Sequence, residues 1–298
     1  MKNPGTKTGK KHKFTMGMAV LYFLLTALVF ICLYPFLNVL AYSLSGYNAV
    51  LSGDVTFYPI EFTLDAYKQI LGRAQIWIAM RVTIFVTLMG TAIGLVLTIF
   101  AAYALSRKNL PGKKLLSGLI LFTMYFSGGI IPTFLVVKNL GMYDSLSSLY
   151  IPQAINVFNF IVMRTFFRQL PESLEEAAKI DGASDMGVLL KIVLPLSVPI
   201  IATIGLFYAV QYWNGYFDAL IYIQSPDKFT LQLRLRSLLF ADELNNAGGG
   251  NVEGIGTQVM TQSLKMACVA VSTIPILLVY PWLQKYFAKG AMLGSVKG

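Results

Sequence analysis

The chain has 298 residues, 56% of them hydrophobic and only 13% charged, with a formal net charge of +10. A soluble domain carries about 25% charged residues, so this composition points to lipid as solvent and excludes an ordinary soluble globular protein. The basic excess alone would suit nucleic acid, but its placement along the chain makes it a topology signal instead.

Residues 1–13 are a basic tail with Lys2, Lys7, Lys10, Lys11, Lys13 and the only histidine, His12, which reads as a solvated residue. An apolar run without charge follows, over 14–44. Lysines ahead of an apolar run also describe a secretory signal, but such a signal has an apolar core of about 7–15 residues. This run is far longer, so an uncleaved first span is expected. A helix rises about 1.5 Å per residue, and about 20 apolar residues cross the hydrocarbon core. By that measure further spans are expected at about 77–106, 115–138, 145–167, 187–217 and 263–286. Residues 14–286 thus read as an all-α membrane domain of about six transmembrane helices, and 287–298 as a C-terminal tail. Helices are expected because backbone polar groups in lipid must be satisfied internally. Pro35, Pro132, Pro152, Pro199, Pro275 and Pro281 fall in or near spans. They read as ordinary kinks, or as breaks in helices that rock during transport. Cys32 and Cys268 lie in apolar runs and read as small packing residues, not as a disulfide or metal site.

Six spans put both termini on one side, and the positive-inside rule makes that side cytoplasmic. The inner set is then the N-terminal lysines, Arg107, Lys108, Lys113, Lys114, Arg164, Arg168, Lys179, Lys191, Lys285, Lys289 and Lys297: sixteen of the 24 basic residues. Nine of the 14 acidic residues fall outside. The outer loops span about 45–75, 139–144 and 218–262. In the last, residues 229–236 alternate apolar and polar, which fits a half-buried strand or a short amphipathic piece on the membrane surface. The glycines of 248–254 precede no Lys-Ser or Lys-Thr pair, so they read as a tether and not as a phosphate loop.

The inner loop 168–186 is unlike the others. Pro171 suits a helix start and Glu172 its positive end. Leu174, Ala177, Ala178 and Asp181 fall at helical spacing. Gly182 stands where a left-handed cap is expected, and Ser184 and Asp185 can cap a second helix. The pattern predicts a short surface helix whose small residues, Ala177 and Ala178, are flanked by Glu175 and Glu176. It reads either as a solvated connector or as a docking element.

Glu176, Ala177 and Ala178, then Gly182, then nine residues, then Ile192, Leu194 and Pro195 match the EAA motif, E-A-A-x3-G-x9-I-x-L-P, at every fixed position. The chain therefore resembles permease subunits of binding-protein-dependent ABC importers, and within them the second permease of Gram-positive oligo- or polysaccharide importers. The resemblance implies that the loop is a coupling helix for a separate ATPase, with Glu175, Glu176, Ala177, Ala178, Asp181, Gly182 and Pro195 as the coupling residues. It further implies a heterodimer with a similar permease, two copies of the ATPase, an extracytoplasmic solute-binding protein and a carbohydrate substrate. No Walker A sequence occurs, so no cofactor is expected in this chain, ATP and Mg belong to the partner, and the chain itself is not expected to be an enzyme.

Polar residues in spans are candidate functional sites. Gln153, Asn156 and Asn159 in the fourth span, with Tyr208, Gln211, Tyr212, Trp213 and Asn214 in the fifth, combine amides with aromatic faces, a mixture that suits sugars. The same groups suit interhelical hydrogen bonds and an interfacial aromatic belt. A permease for a non-sugar solute is the alternative reading. A secondary transporter is weaker, because the spans lack ionisable coupling groups.

Overall fold

A computed structural model describes residues 16–107, 110–246 and 262–295. The basic tail, the 248–254 glycines and residues 296–298 lie outside them. Every regular element among the described residues is helical. The chain divides into two compact units, residues 1–67 with 261–270, and residues 68–260 with 271–298.

In the first unit, α1 (Met16–Ser43) is apolar and exposed almost throughout, with Phe23, Phe30 and Ile31 about 70% exposed. A helix that is apolar all round and uncovered by protein is covered by lipid. At its end, α2 (Tyr47–Ser52) packs Ala49 with Ala41 and Val55. Gly46 is required here: its N–H donates to the Ile60 carbonyl at 3.0 Å, and a Cβ would lie 2.5 Å from Glu61.

The second unit is organised on α4 (Ala74–Ser106), which follows the short α3 (Asp65–Leu71). Helix α4 packs against α7 (Val157–Gln169) and α11 (Val198–Trp213). Two glycines one turn apart allow this. A Cβ on Gly90 would meet the Tyr212 ring at 2.6 Å, and one on Gly94 would meet the Ala154 carbonyl at 3.0 Å and the Tyr208 ring at 3.1 Å. Small residues at i and i+4 let membrane helices approach closely. The core here is Phe160, Met163, Phe167, Val188, Leu189, Val193, Ile204, Tyr208 and Tyr212.

The predicted spans are partly redrawn. Helix α1, α4 and the first part of α14 (Gln262–Ser295) are each long and apolar enough to cross a membrane. Two further stretches are bent pairs. Helices α5 (Lys113–Tyr125) and α6 (Ile130–Asn139) meet at 115° across Gly128 and Gly129, and the segment Asp185–Leu196 meets α11 at 83°. The stretch at 145–167 is not one helix. Residues 146–149 form a 3₁₀ turn, and α7 starts only at Val157, because the Asn156 side chain accepts the Asn159 N–H at 3.2 Å and caps it. Thirteen residues reach about 20 Å, short of the hydrocarbon thickness of about 30 Å.

After α7 come α8 (Glu172–Ile180), α9 (Asp185–Val188), a π turn (Leu189–Val193) and α10 (Leu194–Leu196). Pro195 explains the wide turn. It has no N–H to offer and its ring crowds the carbonyl one turn back, so the turn opens and Leu194 donates to Leu189 instead. Past α11, α12 (Phe217–Tyr222) leads to α13 (Leu231–Asn246). The alternating segment 229–236 is therefore not a strand: from Leu231 it is helical, with its leucines buried. Leu231, Leu235 and Leu238 share one face at i, i+4 and i+7, while Leu233 is buried from the opposite side. Burial on two faces mimics a period of two.

Candidate functional site

The loop 168–186 folds as its residues dictate. Helix α8 opens after Pro171, with Glu172 and Glu175 in its first turn. It ends in a Schellman motif. Gly182 adopts φ +81, its N–H donates to the Lys179 carbonyl at 3.0 Å, and the Ala183 N–H donates to the Ala178 carbonyl at 2.9 Å. Ser184 caps α9 by accepting the Gly187 N–H at 3.2 Å. Asp185, the other predicted cap, pairs instead with Lys179 at 2.9 Å, an exposed pair that contributes little.

The two faces of α8 differ. Ala178 is buried and Glu175 half-buried, turned toward α4, where Glu175 forms an ion pair with Arg107. Ser173, Glu176, Ala177 and Ile180, at i, i+3, i+4 and i+7, are all exposed, and Ile180 is 87% exposed. Asp181, Gly182 and Pro195 are exposed as well. This face of a charged helix therefore exposes one large apolar side chain, Ile180, beside the small Ala177. Between α8, α7 and the end of α4 lies an open cleft of about 710 Å³, bordered by Arg107, Lys113, Arg168, Glu172, Glu176 and Lys179.

The polar candidates in the predicted fourth and fifth spans form one hydrogen-bonded cluster. Asn156 Nδ2 donates to Gln211 at 3.4 Å, Gln211 Nε2 donates to Gln153 at 2.9 Å, and Gln153 Nε2 donates to Asp218. The fully buried Tyr208 hydroxyl accepts the Asn156 N–H at 2.9 Å and lies 2.7 Å from Thr98. The Tyr212 hydroxyl donates between the carbonyls of Tyr150 and Gln153, at 3.3 and 3.2 Å. Burial demands such satisfaction, because an unpaired polar group in an apolar setting costs about 1–3 kcal/mol. Trp213 and Asn214 lie apart: Trp213 donates to the Ser272 carbonyl at 3.1 Å, and the exposed Asn214 to the Val210 carbonyl at 2.9 Å. Asn159 is buried beside the cap. Gln153, Gln211 and Asp218 border a small cavity of about 50 Å³.

Residues 94–292 match the family described as the binding-protein-dependent transport system inner membrane component. The chain belongs to this family. It is a permease: the membrane-embedded, non-catalytic subunit of an ATP-binding-cassette importer, whose ATPase is a separate chain. The permease is 48% identical over 279 residues to the polygalacturonan/rhamnogalacturonan transport system permease protein YtcP of Bacillus subtilis (strain 168), covering 94% of this chain and 97% of that relative. It is 45% identical over 268 residues to Protein LplC of the same organism, covering 90% of each. Among solved structures, it superposes with a TM-score of 0.81 on a chain of a bacterial ABC transporter involved in the import of the acidic polysaccharide alginate. That match is 33% identical and covers 94% of this permease and all of that chain.

Sequence reasoning missed several residues of these sites. Ile180 was passed over, although it completes the i, i+3, i+4, i+7 face with Ser173, Glu176 and Ala177. Asp218 was assigned to an outer loop, yet it ends the amide relay. Gly90 and Gly94 carried a legible signal, a small-x-x-x-small pair in an apolar run. Arg107 carried none, because its partner lies 68 positions away.

Proposed function

We propose that α8 is the helix through which this permease docks its ATPase, and that the transported solute is an oligo- or polysaccharide. The docking reading is carried by the exposed Ser173, Glu176, Ala177 and Ile180 face on a helix held rigid by the Gly182 cap. Glu176 supplies charge, Ala177 close approach and Ile180 an apolar anchor, while Glu175 and Ala178 hold the helix to its own chain. Asp181, Gly182 and Pro195 shape the turns on either side. ATP-driven closure of the partner moves this helix, and the helix moves α7 and α11, to which it is joined. In this reading the residues just before α7, which pack on α4 and α11, complete a fourth crossing together with α7, and the six crossings place the loop and both termini in the cytoplasm, by the positive-inside rule. The complete importer contains two different permeases, two ATPase copies and an extracytoplasmic solute-binding protein.

The carbohydrate reading rests on relatives matched over nearly their whole length and named for polygalacturonan, rhamnogalacturonan and alginate transport. The amide and tyrosine chemistry of Gln153, Asn156, Gln211 and Tyr212 is consistent with it. Asn159, Tyr208 and Trp213, all buried, support the walls of the translocation path, and the exposed Asn214 is available to a solute.

The test is co-purification of the ATPase with variants of α8, alongside uptake of labelled oligogalacturonides. Gly182→Ala forces a side chain into a left-handed conformation at a cost of about 1–2 kcal/mol, and Glu176→Lys reverses the charge of the docking face. Both are expected to reduce association and uptake together. Wild-type association in both variants would end the docking reading, and uptake of no glycan but of a non-sugar solute would end the carbohydrate reading.

A further inference from the structure

The sequence joins α8 to α7 on one side and, through α9 and α10, to α11 on the other. The second connection is indirect: it passes through the π turn at Leu189–Val193 and the 83° bend before α11. A third attachment exists, to the last turn of α4. Arg107 caps that helix and pairs with Glu175 of α8; only 25% and 14% of the two side chains are exposed. The guanidinium stacks 4.6 Å from the Tyr103 ring centroid, and its Nε donates to Ser106 Oγ at 2.9 Å. The Tyr103 hydroxyl donates to the carbonyl of Asp185, the first residue of α9, at 3.2 Å. Lys113 Nζ closes the end of α4 by donating to the carbonyls of Ser106 and Arg107, at 3.2 and 2.7 Å. One turn of α4 thus holds both sides of the Gly182 turn.

Exposed ion pairs contribute little. This one is largely enclosed, and its arginine is fixed by a ring on one side and a hydroxyl on the other. Planar stacking and fork geometry suit arginine and not lysine for a rigid connection. What it connects matters more than its energy. Farther along, α4 carries Gly90 and Gly94, on which the rings of Tyr212 and Tyr208 sit, and Thr98, which meets the Tyr208 hydroxyl.

We propose that Arg107 is a positioning residue that ties the coupling helix to α4, so that displacement of α8 reaches the tyrosine and amide cluster through α4 as well as through α7 and α11. The proposal rests on the reading of α8 as the ATPase-docking helix. Arg107 lies on α4 and not on α8, and its partner Glu175 is half-buried, whereas Glu176, which borders the same cleft, and Ile180 are exposed.

The experiment uses the whole importer in proteoliposomes, with its ATPase, second permease and solute-binding protein. Wild type is compared with Arg107→Met, Arg107→Lys, Glu175→Gln and the Arg107→Met/Glu175→Gln double variant. Three quantities are read: ATPase co-purification, thermal stability of the complex, and sugar imported per ATP hydrolysed. The ATPase is expected to stay bound while sugar per ATP falls about tenfold in each single neutral variant, within the range typical of coupling between sites. The double variant is expected to be no worse than Arg107→Met alone, as for two residues whose contribution to coupling runs through one shared pair. Arg107→Lys, which keeps the charge, is expected to recover part of the ratio. An unchanged ratio in Arg107→Met, strictly additive losses, or loss of the ATPase while the two permeases stay assembled would each overturn the tie. If Arg107→Met does not assemble, Glu175→Gln, which preserves shape, decides by the same ratio. Wild-type ATPase association in Glu176→Lys and Gly182→Ala would overturn the docking reading instead, whatever Arg107 does.

Discussion

Two polar regions of this permease, one of amides and tyrosines and one of carboxylates and small residues, differ in how their groups are satisfied. In the cluster around Tyr208, amides and hydroxyls are turned toward one another, and Gln153, Asn156, Gln211, Tyr212 and Asp218 find partners within the chain. On α8 the carboxylate of Glu176 and the side chain of Ile180 are turned to water, and only Glu175 and Ala178 face their own chain. The first arrangement is a joint and the second is a surface. Polarity in a membrane protein therefore does not by itself mark a binding site; the direction of its hydrogen bonds does.

The largest expected effect tests the joint. Gly90→Leu drives a side chain into the Tyr212 ring, and overpacking of this kind costs about 1–3 kcal/mol; the melting temperature of the purified permease should fall and the assembled complex should be lost. Next comes the surface. Ile180→Asp should weaken ATPase association by about 2 kcal/mol, the scale of an interface anchor, with no change in the stability of the permease alone. If instead the permease melts earlier, Ile180 is packing against its own chain and the contrast between the regions fails. Tyr208→Phe leaves Thr98 and the Asn156 N–H without their shared partner, at a cost of about 1–2 kcal/mol. Thermal unfolding should report the loss, and ATPase association should not change.

The smallest effect concerns a tie between the turn at Asp144 and the segment 224–228. Asp144 accepts from Ser225 Oγ and from the N–H groups of Ser225 and Gln224, the last two at 2.9 Å, and pairs with Lys228 at 3.1 Å. The Ser225 hydroxyl first, then the two N–H groups, hold its carboxyl well below the usual carboxylate range. A depressed pKa contributes stability above the unfolded value of about 3.9 and loses it only as pH falls through the lower folded value. Hydrogen-exchange protection at Gln224 and Ser225 should therefore be constant from neutral pH down to about pH 4. Asp144→Asn should lower it across that whole range.

Local chemistry was the most legible part of the sequence. Gly182 announced its left-handed cap and Ser184 its N-cap, because both act on backbone groups within a few residues. The long apolar helices, α1 and α4, were legible from length alone. What failed depended on distance. Hydropathy carried the fourth span across 145–156, where Asn156 starts a helix late. Alternation at 229–236 suggested a strand because Leu233 is covered from a side that no local window reveals. The Arg107–Glu175 pair and the Gln153–Asp218 bond join residues 65 or more positions apart, and periodicity holds no record of such pairs.

The π turn before Pro195 gives the spacing of the loop motif a geometric meaning. A π turn holds about one residue more than an α turn, and each residue of a helix turns the chain by about 100°. The interval from Gly182 to Pro195 therefore sets a rotational phase as well as a length. It fixes which side of α11 meets α4, and so it keeps Tyr208 and Tyr212, themselves one turn apart, facing Gly94 and Gly90. Removing a single residue from that interval would leave every charge of α8 in place and still turn both rings away from the glycines that receive them.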